Sequence, residues 1–205
     1  MTISDRSGSL RERIGIFGGT FDPPHVGHLV ASVNVRFALG LDRLLLTVAN
    51  VPWQKLGSRP LSPAGDRLAM VQAAVRGVEG LEASDLELRR GGNSYTVDTV
   101  EQLLAEQPDR EVFVVVGQDA AAGMPTWERI DDLRDLATLV VVERPGVSVE
   151  LPVGWTFLRV EVPRLEVSST DLRSRVRDGR PLDYLVPQAA VTCLLERGLY
   201  REACP

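Results

Sequence analysis

Both histidines of this chain fall in one short stretch, Gly18-Gly19-Thr20-Phe21-Asp22-Pro23-Pro24-His25-Val26-Gly27-His28, so imidazole chemistry is confined to that turn. The preceding run Ile14-Gly15-Ile16-Phe17 reads as a buried strand. Gly18-Gly19 lets the backbone pass without Cβ clashes, and Pro23-Pro24 stops strand pairing. From about Val26, Leu29, Val30, Val33 and Phe37 recur at helical spacing, which puts both histidines at the first turn of a helix. Spaced i, i+3 they share a face, roughly 5–6 Å apart at Cβ. A helix start offers unpaired N–H groups and the positive end of the macrodipole, so two imidazoles beside it describe a phosphate-binding site. Two other readings stand beside this one. The pair could ligate a metal, although the spacing is not i, i+4 and no Cys, Glu or third His lies nearby, and the segment could be turn and cap chemistry alone, with Asp22 as the turn residue.

Four further clusters carry candidate chemistry. Lys55, in Asn50-Val51-Pro52-Trp53-Gln54-Lys55, is the one lysine among 23 basic residues, and such a bias makes it conspicuous without assigning it a role. Val167-Ser168-Ser169-Thr170-Asp171-Leu172-Arg173 has hydroxyls where a helix N-cap is wanted. Arg173 near that helix start opposes the macrodipole, so either a bound anion or a carboxylate such as Asp171 offsets it. Ser94-Tyr95-Thr96-Val97-Asp98-Thr99 and Met124-Pro125-Thr126-Trp127 pair a hydroxyl-rich helix start with an indole. Trp127 suits either core packing or stacking on a cationic ring, and Thr96 with nearby N–H groups suits a carboxylate. Gly117-Gln118-Asp119 follows an apolar run, where Asp119 is a candidate helix cap.

The elements that must position these residues alternate along the chain. Strands are expected at Ile14–Phe17, Arg43–Ala49, Leu81–Leu88, Val112–Val116, Leu139–Val142 and Thr156–Val160, with helices from Val26, after Ser62-Pro63, at Thr96–Ala105, at Ile130–Leu136 and twice more at the C-terminal end. Such alternation predicts an α/β fold: a doubly wound, Rossmann-like parallel sheet with helices on both faces and ligands beyond the strands' carboxyl ends. The Gly18 turn, Asn50–Lys55, Gly117–Asp119 and Ser168–Thr170 all follow predicted strands and should converge there. Residues 1–13 read as a flexible polar extension and 14–205 as a single domain, with no signal or membrane segment. The net charge of −5 argues against a nucleic-acid partner and for a small ligand. Cys193 and Cys204 suggest free thiols in a reducing, cytoplasmic setting.

Gly-Thr-Phe-Asp-Pro-x-His-x-Gly-His resembles the signature of nucleotidyltransferases that join a phosphate to the α-phosphate of a nucleoside triphosphate. Ser-Ser-Thr-x-x-Arg is similar to the second signature of the adenylyltransferases, and the stretches at Ser94–Thr99 and Met124–Trp127 look like the mononucleotide pattern of bacterial nicotinate-nucleotide adenylyltransferases. The likeness runs from about Ile14 to Leu199-Tyr200. It implies a nucleotidyltransferase-type fold, transfer of AMP from ATP to nicotinate mononucleotide, and Mg²⁺ held mainly by the ATP phosphates, with no metal ligands from the protein. It further implies that His25, His28, Lys55 and Arg173 act on the reacting phosphates. ATP would lie against Gly18, Gly19, Thr20, Phe21, His25, His28, Gly117, Asp119, Ser168, Ser169, Thr170 and Arg173. The acceptor would lie against Asn50, Lys55, Tyr95, Thr96 and Trp127. Gln54 replaces the histidine usual in that loop, which leaves any second imidazole role there open. Nicotinamide mononucleotide or phosphopantetheine as acceptor, cytidylyl transfer, and a catalytically silent nucleotide sensor are the competing readings.

Overall fold

The alternation of side chains along each strand sorts the molecule into layers. The computed structural model describes residues 11–52, 60–146 and 149–201. Strands β1 (Arg13–Gly19), β2 (Arg43–Val48), β3 (Leu81–Ser84), β4 (Glu111–Gly117), β5 (Thr138–Glu143) and β6 (Leu158–Glu161) form one sheet in the order β3-β2-β1-β4-β5-β6. Every pairing is parallel, with Ile16 opposite both Leu45 and Val114 at the centre. Leu44, Leu46, Phe113, Val115, Val140 and Val142 point to one face, where α1 (Val26–Leu39) and α2 (Ala64–Val75) cover them through Val35 and Val71. Ile14, Ile16, Leu45, Val112, Val114 and Val116 point to the other, under α4 (Thr96–Glu106) and α6 (Ile130–Leu136). Neighbouring residues of one strand thus serve opposite layers, which is why β2 and β4 read as unbroken apolar runs. A third apolar cluster joins Met70 of α2 to Leu172 of α7 (Ser169–Arg177) and Leu194 of α8 (Gln188–Glu196), bringing the C-terminal helices beside the sheet's carboxyl edge.

The doubly wound sheet is as expected, and three local expectations change. The alternation read over Leu81–Leu88 ends at Ser84, whose Oγ accepts the Leu86 N–H at 3.4 Å, and α3 (Leu86–Arg90) begins there. Leu86 and Glu87 are both buried, which consecutive residues of a half-covered strand would not be. Second, α5 (Gln118–Gly123) and the 3₁₀ turn Met124–Thr126 follow β4 directly and are too short to leave a periodic signal. Third, the folded body starts before Ile14, because β1 includes Arg13 and Glu12 pairs with Arg43 at 2.6 Å and Arg110 at 2.7 Å. No helix among the described residues is long and apolar enough to cross a membrane.

Candidate active site

The chain leaves β1 for β2 on one side, while β4 pairs on β1's other side, so a crevice opens at the carboxyl ends of β1 and β4. It has a volume of about 880 Å³. Gly18 and Gly19 are the last residues of β1, still paired with Thr47 and Val48. Neither has a left-handed φ; their need for glycine is spatial. A Cβ on Gly19 would sit 2.8 Å from the Phe21 ring, whereas one on Gly18 would meet nothing within 4 Å and stand in the open crevice. The left-handed residue of the turn is Phe21, at φ 50°, with its ring buried and edge-on to His28 at 5.0 Å between centroids.

His25 is the N-cap of α1 and His28 its third residue. His28 Nδ1 accepts the His25 backbone N–H at 3.2 Å, an arrangement that puts the proton of a neutral His28 ring on Nε2. The two rings stack with centroids 3.7 Å apart. Burial lowers His25 to a pKa of about 4, so at neutral pH it lines the crevice as an uncharged ring. Capping chemistry is therefore present at this turn, with one nitrogen of His28 closing the helix start.

Distant elements fasten this turn. Arg67 of α2, 1% exposed, donates to the carbonyls of Thr20 at 2.9 Å, Asn50 at 3.1 Å and Ser62 at 2.9 Å. Tyr200 donates its hydroxyl to Asp22 Oδ1 at 2.7 Å. Ser169 Oγ donates to the Pro23 carbonyl at 2.8 Å, and Arg173 Nη1 to the Asp22 carbonyl at 2.8 Å. Ser168 caps α7, accepting the Asp171 N–H at 3.2 Å. Asp171 directs its carboxylate to Arg175 at 2.6 Å and Arg180 at 3.5 Å. Arg173 also donates to Thr170 Oγ1 at 3.0 Å, and both line the crevice with Ser168 and Ser169.

At the other end, Tyr95 is the N-cap of α4 with no side-chain cap, leaving first-turn N–H groups beside Thr96 to the crevice. Trp127 closes the 3₁₀ turn, packs partly on the second apolar cluster and also lines the crevice. Its Nε1 is enclosed without a hydrogen-bond partner among the described residues. Gly117 caps α5, and Asp119, 85% exposed in its side chain and 4.0 Å from Arg144, is not the cap. Asn50 is the described site residue that does not line the crevice: its N–H donates to Ser94 Oγ at 2.8 Å and its Nδ2 to the Gly92 carbonyl at 2.9 Å. Lys55, Gln54 and Cys204 lie outside the described residues. Arg67, Glu87, Arg144 and Tyr200 were not legible as site residues, because nothing in their local sequence distinguishes them from surface charges or a chain end. Among the described residues no group of three or more His, Cys, Asp or Glu is placed to hold a metal ion.

A crevice with helix starts at the switch point of a parallel sheet is the arrangement of nucleotide-binding α/β proteins, and residues 16–175 match the cytidylyltransferase-like family. The chain belongs to that family of nucleotidyltransferases. Over 92% of its length it is 42% identical to a protein of Geobacillus thermodenitrificans, covering 86% of it, and 43% identical to one of Corynebacterium kroppenstedtii, covering 90%. Both are named "Probable nicotinate-nucleotide adenylyltransferase". Within the wider family, the chain is a member of the nicotinate-nucleotide adenylyltransferases. In fold it is similar to Plasmodium falciparum nicotinic acid mononucleotide adenylyltransferase complexed with NaAD, with TM-score 0.76 and 15% identity, over 93% of this chain and 98% of that one.

Proposed function

We propose that this protein transfers AMP from ATP to nicotinate mononucleotide, giving deamido-NAD and pyrophosphate in NAD biosynthesis. The observation that carries the reading is the meeting, in one crevice, of a phosphate turn with a second helix start flanked by an indole. A volume of about 880 Å³ is in the range of sites that enclose a dinucleotide-sized ligand.

An oxygen of the mononucleotide phosphate attacks the α-phosphorus of ATP, the bond to the β-phosphate bridging oxygen breaks, and pyrophosphate leaves with that electron pair. The acceptor phosphate is itself the nucleophile, so no covalent enzyme intermediate is needed. The protein's work is alignment and charge stabilisation. His28 Nε2–H and the His25 ring serve as donors to the reacting phosphates, joined by Lys55. Arg173 and the N-terminal amides of α7 hold the β,γ end. Ser169 contributes its backbone there, because its hydroxyl is committed to Pro23. Gly18 gives the backbone room to lie against the triphosphate. Gly117 and Asp119 face the adenosine. The start of α4 receives the nicotinate carboxylate, and the face of Trp127 stacks on the pyridinium. Mg²⁺ would be held by the ATP phosphates, where it would supply charge neutralisation for the leaving pyrophosphate. A net charge of −5 and small-molecule substrates suit a cytoplasmic enzyme with no nucleic-acid partner.

Pyrophosphate release from ATP and Mg²⁺, with nicotinate mononucleotide, nicotinamide mononucleotide and phosphopantetheine offered separately at matched concentrations, tests the proposal. Fast release with the acid mononucleotide alone is expected. Equal release with the amide retracts the carboxylate assignment, and release with none favours a nucleotide sensor.

A further inference from the structure

Behind the start of α4 lies a buried hydrogen-bond network whose members all point at one carboxylate. Glu87 of α3 is 5% exposed and lines the acceptor end of the crevice. Its Oε1 accepts the Thr99 hydroxyl at 3.2 Å, and the carboxylate takes a second hydrogen bond from the Ser94 side chain. Ser94 Oγ in turn accepts the Asn50 N–H at 2.8 Å, and Thr99 Oγ1 accepts Arg90 Nη2–H at 3.0 Å. A hydroxyl has one proton, and both hydroxyls direct theirs at Glu87. The chain of donors, from a backbone amide on one side and a guanidinium on the other, therefore closes on the Glu87 carboxyl, whose pKa burial pushes up while the two hydroxyls and Arg90 favour its charged form.

Ser94 and Thr99 bracket Tyr95 and Thr96, the residues that open α4 toward the crevice. Ser94 also ties this segment to the end of β2 twice, through the Asn50 amide and through its own N–H to the Val51 carbonyl at 3.1 Å. Glu87 thus sets where the first-turn amides of α4 stand relative to the rest of the crevice, through two hydroxyls. The geometry points to Glu87 as a positioning residue that fixes the acceptor pocket and its preference for a carboxylate-bearing mononucleotide over the amide. This inference rests on the proposed reaction. Nothing else in the network can replace a double acceptor. Glutamine at 87 presents one acceptor and one NH₂ donor, so one of the two hydroxyls loses its partner.

The test is Glu87→Gln in the full chain, assayed by pyrophosphate release. One arm varies nicotinate mononucleotide at saturating ATP, a second varies ATP, and a third substitutes nicotinamide mononucleotide. Loss of one hydrogen bond to a charged group predicts a rise of about tenfold in KM for the acid mononucleotide. KM for ATP and kcat stay within about twofold to threefold, and the acid-to-amide ratio of kcat/KM falls by about the same tenfold, since the charged carboxylate depends most on aimed amides. Thr99→Val, which removes a single donor and no charge, should move the same two quantities in the same direction by a smaller factor, and serves if Glu87→Gln does not fold. Unchanged KM and unchanged acid-to-amide ratio, or a loss of kcat with both KM values moving together, overturns the positioning role. A wild-type protein that releases pyrophosphate with none of the acceptors fails the proposed reaction itself and takes this inference with it. Normal wild-type turnover beside an unaffected variant fails the inference alone.

Discussion

Acid should unfold this protein in part through a single histidine. Burial holds His25 at a pKa of about 4 against its ordinary 6.5, so between those values the unfolded chain takes up a proton that the native turn refuses. Stability contributed by the neutral ring is complete above pH 6.5 and is lost as pH falls toward 4, because the unfolded state binds more protons across that window. For one group with these two values, going from pH 7 to pH 4.5 costs about 2 kcal/mol. In a chain of this size that corresponds to about 4–8 °C in Tm. Calorimetric melting of the wild type and His25→Gln at both pH values gives the test. The wild type should lose about 4–8 °C more than the variant, since the other titrating groups, among them Glu87 and Asp171, are common to both and cancel. Equal losses in the two proteins would refute the picture of a histidine kept neutral by burial.

The remaining predictions concern catalysis. His28→Ala removes the Nε2–H donor and should lower kcat by about 10²-fold with the fold intact by circular dichroism; near-normal turnover would take His28 out of the mechanism. Gly27→Ala places a Cβ 3.0 Å from His25 Nδ1 and 3.1 Å from Val167 Cγ1, so the ring must yield. Its turnover should fall by about tenfold while Tm drops by only a few degrees, an overpacking cost of about 1–2 kcal/mol. Trp127→Ala should raise KM for the mononucleotide by about tenfold and leave that for ATP within about twofold, the worth of one aromatic–cation contact. The reverse pattern would exchange the two ends of the crevice.

The layered fold was legible because its cause is local. The apolar runs of β2, β4 and β5 and the helical periodicity after Val26 and at Thr96 arise from burial on one or two faces, and burial selects residue type position by position. The Gly18–His28 turn was legible for a related reason: glycine, proline and histidine are rare enough in combination that it marks itself. The short elements were not. Leu86 to Leu88 continues the alternation of a strand and is folded as the start of α3, where Glu87 is buried against Ser94 and Thr99 from the segment that follows.

What the sequence determined by itself, then, is the inventory of reactive groups and the elements that carry them: two imidazoles at a helix start, an arginine on α7, an indole after β4. Which of those groups face ligand and which face protein was decided only by the tertiary structure. Asn50 turned to Ser94 and Gly92, Ser169 turned to Pro23, and Asp171 turned to Arg175. Arg67 and Tyr200 became fasteners of a turn that lies 47 and 178 residues from them. A side chain's type fixes the bonds it can make, but its partner is set by which distant backbone the packed core brings within 3 Å, and no local pattern encodes that.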